Sequence, residues 1–210
     1  MAGYHEGMVE VDEEAIGMTR RRVKWLLVVV ALSLLRLCLA SGQTLTALYA
    51  PHDDGLFLKL AEHIIAGRWL GPFDNLTLAK GPFYPLWIAA SFIAGVPLQL
   101  SENLLYIAGC VAVMLALTPV VRSAAVLVAI YAVLLFNPIM FSITRILREG
   151  VYIPLTLLLA ACLIGVFLRR RSALRSLALW AGGAGLALSG MWLTRGESLW
   201  ILPAVVFILA

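Results

Sequence analysis

Long apolar runs separated by short polar or charged stretches dominate this chain. The first run begins at Trp25, and six more follow, at 83–98, 104–121, 123–143, 150–168, 177–194 and 198–210. Runs of this length predict transmembrane helices, because a segment surrounded by lipid must pair its backbone polar groups internally. The pattern therefore predicts an all-α fold, a polytopic bundle of transmembrane helices.

Segment 83–98 is the one run that we expect not to cross the membrane. Pro82 and Pro85 bound it at one end, and Gly95 and Pro97 bound it at the other. A helix over 83–95 rises only about 20 Å, whereas the hydrocarbon core is about 30 Å thick. We predict a juxtamembrane or re-entrant helix on the outer side, within an external loop at 49–103 that bears such helices.

The distribution of charge supports this topology. If every run crossed, the basic cluster at 169–175 would lie outside, against the tendency of Lys and Arg to stay in the cytoplasm. If 83–98 does not cross, that cluster, Arg122 and the basic residues at 20–24 all become cytoplasmic, as does the polar tail at 1–24. The acids that follow the tail then all lie outside: Asp53, Asp54, Glu62, Asp74, Glu102, Glu149 and Glu197.

Composition agrees with a membrane protein and excludes a nucleic-acid binder. Hydrophobic residues make up 62% and charged residues 13%, against about 25% charged in soluble domains. The net charge of +4 arises from basic residues at the ends of apolar runs, so it indicates membrane orientation. The three cysteines lie inside apolar runs and imply no disulfide framework. The last run reaches Ala210 after about thirteen residues, so we expect a truncated chain, or a second polypeptide that supplies the missing spans.

The sequence Asp53-Asp54-Gly55 opens a short amphipathic helix, predicted over 54–66 and ended by Gly67. Three roles remain open for the two carboxylates. Asp53 can cap the helix while Asp54 complements its dipole. Either can bind a divalent cation, Mg²⁺ or Mn²⁺, or deprotonate an acceptor hydroxyl.

Other charged residues near the predicted outer face are candidates for the same site. Each also has a purely structural interpretation: a lysine at the interface extends to water, and neighbouring charges pair at a span end. Arg36 lies inside the first run, where a charge needs a partner, and we favour a structural role for it. The candidate substrate-binding residues are Lys80, Arg148, Arg195 and Glu197, with Glu149 as a further carboxylate and Arg145 beside them.

The order and spacing of these motifs resemble those of GT-C-fold membrane glycosyltransferases, in particular the bacterial protein O-mannosyltransferase and lipid A aminoarabinose transferase superfamily. The acidic pair of that family, often Asp-Glu, matches Asp53-Asp54, and its His-Pro-Pro-Leu element is replaced by Lys80-Gly-Pro82. Its later carboxylate matches Glu149, and its Leu-Thr-Lys-Gly-like element matches Leu193-Thr-Arg-Gly196. The resemblance covers residues 25–210, an N-terminal GT-C-like module.

The resemblance implies a hexosyltransferase of the bacterial inner membrane that moves a sugar from a polyprenyl-phosphate-linked donor to an extracytoplasmic acceptor. Asp53 or Asp54 would be the base or metal ligand, with support from Glu149. Lys80, Arg148 and Arg195 would stabilise the leaving phosphate. The alternative is a truncated or non-catalytic membrane protein that binds lipid-linked sugars or partners a larger enzyme. A transporter ranks last. It predicts broken helices that meet at the membrane midplane, whereas the charges of this chain are expected at one membrane face.

Overall fold

The structure is a computed structural model that describes residues 23–46, 53–72, 80–141 and 143–209, with the side chains of 197–199, 204, 208 and 209 left out. Helices are the regular elements of this part of the chain, so the all-α prediction is confirmed. In chain order they are α1 Val23–Ser41, α2 Asp54–Ile65, α3 Phe83–Ile93, α4 Leu98–Leu117, α5 Ala124–Leu135, α6 Pro138–Phe141, α7 Glu149–Arg169, α8 Leu174–Thr194 and, after a 3₁₀ helix at Gly196–Ile201, α9 Leu202–Leu209.

Five helical segments of the described chain are long and apolar enough to cross a membrane. They are α1, α4, Ala124–Phe141 (α5 with α6), α7 and α8. Helix α3 has 11 residues and rises only about 16 Å, so it is too short to cross, as predicted. It follows Pro82 and gives way to Gly95, whose φ of 67° suits a glycine. Its place beside the membrane stays a prediction.

The start of helix α4 differs most from the start predicted from the sequence. It begins at Leu98, whereas the apolar run was placed at 104–121. Its first two turns contain four buried polar residues, which lower the hydropathy of a segment that is nonetheless helical and packed. These residues are Gln99, Ser101, Glu102 and Asn103.

The described residues form three hydrophobic clusters: one packs α2 and α3 against the start of α7, and the other two join the long helices. One joins α1, α4 and α5 around Tyr106, Cys110 and Tyr131. The other joins α7, α8 and α9 and includes Leu155 and Met191. Because α4 packs extensively against α7, the two clusters form one bundle.

Two glycines of α8 allow close packing against α7. A Cβ on Gly183 would lie 2.8 Å from the sulfur of Cys162, and one on Gly190 would lie 3.1 Å from Leu155. A Cβ on Gly182 or Gly185 would meet nothing within 4 Å. The glycine cluster therefore serves helix packing at two of its four positions.

Arg169 shows which helix ends lie together. Its guanidinium donates to the carbonyls of Leu115 and Ala116 and to the Thr118 hydroxyl, at 2.7–3.0 Å. The carboxyl ends of α4 and α7 therefore meet. The amino ends of both helices lie at the opposite end of the bundle, together with the carboxyl end of α8, and the candidate site residues gather there.

Arg36 in α1 is buried and has partners. Its Nε donates to Asn103 Oδ1 at 2.8 Å, and its guanidinium carbon lies 3.5 Å from the ring centroid of Phe141. The residue thus ties α1 to α4 and to α6, which agrees with the structural role favoured from the sequence.

Candidate functional site

The acidic pair divides into one accessible and one buried carboxylate. Asp53 Oδ1 lies 2.7 Å from Lys80 Nζ, and the Asp53 side chain is 42% exposed. The Asp54 side chain is fully buried, and both of its oxygens accept hydrogen bonds from Arg145, at 3.2–3.3 Å. Two adjacent aspartates therefore have separate cationic partners and separate environments.

The capping alternative holds only in part. Asp53 occupies the N-cap position of α2, and its backbone carbonyl accepts from the Phe57 N–H at 3.1 Å. Its side chain makes no capping hydrogen bond, so side-chain capping by Asp53 is wrong. Asp54 lies in the first turn, where a negative charge complements the helix dipole, and it also forms the buried ion pair.

Gly81 brings Lys80 next to the carboxyl end of α8. A Cβ at this position would lie 2.0 Å from the carbonyl oxygen of Leu193, closer than any real contact. Only glycine lets the Lys80-Gly-Pro segment approach this carbonyl. Because Arg195 directly follows α8, the close contact places Lys80 and Arg195 at the same end of the bundle.

Glu149 begins α7 and pairs with Arg195 across helices, at 3.6 Å. The guanidinium of Arg195 also lies 5.6 Å from the ring centroid of Tyr152. Arg148 occupies the N-cap position of α7, and among the described residues the ion pair of Glu149 is with Arg195, not with its chain neighbour. The side chain of Glu197 lies outside the described residues, as does His52.

Glu102 is the site residue that sequence reasoning missed, since it was counted only among the external acids. It is 4% exposed, and Tyr84 donates its hydroxyl to Oε1 at 3.0 Å. The carboxyl group lies directly against Gly150, where a Cβ would come within 2.4–2.5 Å of it. The sequence held two signals for this contact. Glu102 is an acid directly before the apolar run at 104–121, and a glycine, Gly150, directly follows Glu149.

Tyr84 is the hydrogen-bond partner of Glu102 and is also influenced by the charges of two other carboxylates. Burial raises the pKa of its phenol far above the usual value, and the charges of Glu102, Glu149 and Asp54 raise it further. The phenol is therefore neutral and serves as a hydrogen-bond donor. Tyr84 thus links α3 to α4 through Glu102 and to α2 through Phe57, against which its ring packs edge-on at 5.0 Å.

The metal prediction for Asp53 and Asp54 remains a prediction. Within the described ranges, no three His, Cys, Asp or Glu side chains are grouped so as to hold an ion. Each aspartate instead faces a lysine or an arginine. The geometry provides three carboxylate–cation pairs at one end of a helical bundle, and the Asp53–Lys80 and Glu149–Arg195 pairs are partly exposed.

Comparison with known protein families, curated proteins and solved structures gives no match for this chain.

Proposed function

We propose that this protein is a membrane glycosyltransferase that transfers a sugar from a polyprenyl-phosphate-linked donor to an extracytoplasmic acceptor, in the bacterial inner membrane with its N-terminus in the cytoplasm. The observation that carries the proposal is the accessible Asp53–Lys80 pair at the bundle end that also holds Glu149 and Arg195. A carboxylate and several cations together suit proton abstraction beside a leaving phosphate. The motif resemblance to GT-C enzymes supports the same activity.

The cations of the site bind the donor phosphate in this proposal. Lys80 supplies a compact charge, and Arg195 supplies a planar group that can contact two phosphate oxygens at once. Arg148 lies at the amino end of the 21-residue helix α7, where the helix dipole also favours an anion. The positive charges offset the negative charge that develops on the phosphate as it leaves.

Asp53 is the base in this proposal, because it is accessible while Asp54 is not. It accepts the proton of an acceptor hydroxyl as that oxygen bonds to the anomeric carbon of the sugar. The bond between the anomeric carbon and the phosphate oxygen breaks with its electron pair, and the lipid phosphate departs. A single displacement of this kind inverts the anomeric configuration.

Asp54 has a structural role in this scheme, since it holds Arg145 and the first turn of α2. If Asp53 instead held a divalent cation, the ion would add positive charge at the leaving phosphate, and Asp53 would be its ligand rather than the base. The base and the phosphate-binding groups proposed above are all side chains of this protein, and none of them is assigned to a cation.

Paired substitutions of the two aspartates test the proposal. Asp53→Asn removes the base and is expected to lower transfer in membranes roughly 10²–10⁴-fold. Its stability should change by only about 1 kcal/mol, because the Asp53 side chain is 42% exposed. Asp54→Asn should lower stability by about 2 kcal/mol, less than for a fully buried pair, since Arg145 is 36% exposed. Unchanged transfer in Asp53→Asn would falsify the assignment.

A second candidate function is non-catalytic: binding of lipid-linked sugars, or partnership with a larger enzyme. Trp200 and Phe207 are 86% and 85% exposed, and such apolar side chains can contact a lipid-linked ligand or a partner protein. This alternative predicts that the unmodified protein and Asp53→Asn bind the lipid-linked sugar equally, and that neither turns it over. Turnover by the unmodified protein would decide for the enzyme.

A further inference from the structure

Four exposed arginines lie at the end of the bundle opposite the charged site. They come from the turn between α4 and α5, the turn between α7 and α8, and the first turn of α8: Arg122, Arg170, Arg171 and Arg175. The two turns lie side by side, because Arg169 at the end of α7 donates hydrogen bonds to the last carbonyls of α4. We call the four exposed residues the arginine cluster.

Within the described ranges, no acidic side chain offsets the charge of the arginine cluster. The acidic side chains that the structure describes belong to α2, to its N-cap and to the first two turns of α4 and α7. The ion pairs of the described residues involve Lys80, Arg145 and Arg195, and thus no member of the cluster. Four positive charges therefore lie together at the ends of membrane-length helices.

Apolar side chains lie directly beside these arginines and face outwards. The guanidinium carbon of Arg170 lies 4.8 Å from the ring centroid of Phe167, which is 50% exposed. Leu174 and Leu179, on either side of Arg175 along α8, are 79% and 78% exposed. The surface thus combines cations at the helix ends with apolar side chains on the flanks of the same helices. A phospholipid with an anionic head group has the complementary arrangement.

The acidic N-terminal tail is the alternative partner, and the sequence argues against it. Four basic residues at 20–24 directly follow the five acids of the tail, which are Glu6, Glu10, Asp12, Glu13 and Glu14. The charge of the tail is thus nearly balanced by its own neighbours along the chain. An anionic head group, in contrast, already lies at the depth where membrane-length helices end, and basic residues there attract it.

We infer that the arginine cluster binds the head group of an anionic phospholipid, whose phosphate oxygens accept hydrogen bonds from the guanidinium groups. Arginine suits this role, because its planar group can donate two parallel hydrogen bonds to one phosphate. The hydrocarbon chains then lie along the exposed flanks of α7 and α8, beside Phe167 and Leu179. This lipid site is separate from the charged site at the other end of the bundle and does not depend on the proposed enzymatic function.

Native mass spectrometry of the purified full-length protein tests the lipid site. The protein in detergent is titrated separately with phosphatidylglycerol and with phosphatidylcholine of the same acyl chains, and the lipid-bound fraction gives each Kd. Phosphatidylglycerol should bind roughly tenfold more tightly or better, and the difference should shrink as ionic strength rises, because salt screens exposed charges. Equal affinity for the two lipids would overturn the inference.

A matched pair of double substitutions locates the site. Arg171→Gln with Arg175→Gln removes two charges of the cluster, whereas Lys59→Gln with Arg68→Gln removes two exposed charges from α2 and the turn after it. The first pair should weaken phosphatidylglycerol binding about thirtyfold, since each basic residue at an anionic surface contributes a factor of about five. The second pair should leave binding unchanged, and equal affinity of the two double variants would contradict the inference.

Two variants with smaller changes support this comparison. Arg171→Lys with Arg175→Lys keeps both charges and should retain most of the binding, so a loss as large as that of the glutamine pair would argue against attraction by charge. If the glutamine pair does not fold, the single variants Arg171→Gln and Arg175→Gln decide, each with an expected loss of about fivefold.

Two further measurements distinguish the lipid from other anions. Inorganic phosphate, compared with chloride at equal ionic strength, should not displace phosphatidylglycerol; displacement would reassign the cluster to a soluble phosphate. Replacing the five acids of the tail by their amides should leave lipid binding unchanged. A gain in lipid affinity of roughly fivefold or more would show that the tail occupies the cluster, and would overturn the inference.

Discussion

Gly81 and Gly150 allow charged groups to approach one another because neither carries a Cβ. Gly81 contacts the last carbonyls of α8, and Gly150 contacts the carboxyl group of Glu102. Neither position has a positive φ, so space rather than backbone conformation requires the glycine. The acidic and basic residues of the site depend on these two contacts for their positions.

Gly81→Ala is expected to destabilise the protein by about 1–3 kcal/mol, the usual range for overpacking. The added methyl would lie 2.0 Å from the Leu193 carbonyl oxygen, so the Lys80 segment or the end of α8 must move. Thermal unfolding in detergent measures the change. Gly182→Ala is the control: its methyl meets nothing within 4 Å, and alanine inside a helix should stabilise by about 0.5–1 kcal/mol. Equal stability of the two variants would contradict this interpretation.

At the scale of elements, the Tyr84 side chain of α3 contacts both α4, through Glu102, and α2, through Phe57. That α3 is short was predictable from the sequence, since Pro82, Pro85 and Gly95 bound it. Its contact with Glu102 was not predictable. A carboxylate ahead of an apolar run is normally solvated, and only the packing of α4 against α7 buries this one.

Tyr84→Phe is expected to lower the free energy of unfolding by about 1–3 kcal/mol, because it leaves the buried carboxyl of Glu102 without its donor. The phenylalanine ring keeps the edge contact with Phe57, so lost packing contributes little. Glu102→Gln should cost less, because an amide oxygen still accepts from the Tyr84 hydroxyl. A double-mutant cycle measured by unfolding gives the coupling between the two residues. A coupling of zero would show that the hydrogen bond does not contribute.

Across the whole molecule, charge separates to the two ends of the bundle. Arg169 and its basic neighbours lie where α4 and α7 end, and the carboxylate–cation pairs lie where these helices begin. The number of crossings was enough to predict this separation, because each crossing moves the chain to the other side of the membrane. The partners within each pair were not predictable, since Asp54 and Arg145 are 91 residues apart and meet only through packing.

The topology makes the position of α3 testable with single cysteines. Cys38 is the exposed native thiol, so a Cys38→Ser background is used. Glu62→Cys and Ala94→Cys, both exposed, flank α3, and Ser172→Cys lies between α7 and α8. An impermeant maleimide should label the first two variants in intact cells and the third only after lysis.

If α3 crossed, Glu62→Cys and Ala94→Cys would label from opposite sides. If α3 does not cross but the chain is inverted, those two would still label together, from the cytoplasm. Labelling of both from outside would therefore fix the fold of the loop and the side of the membrane on which the charged site lies.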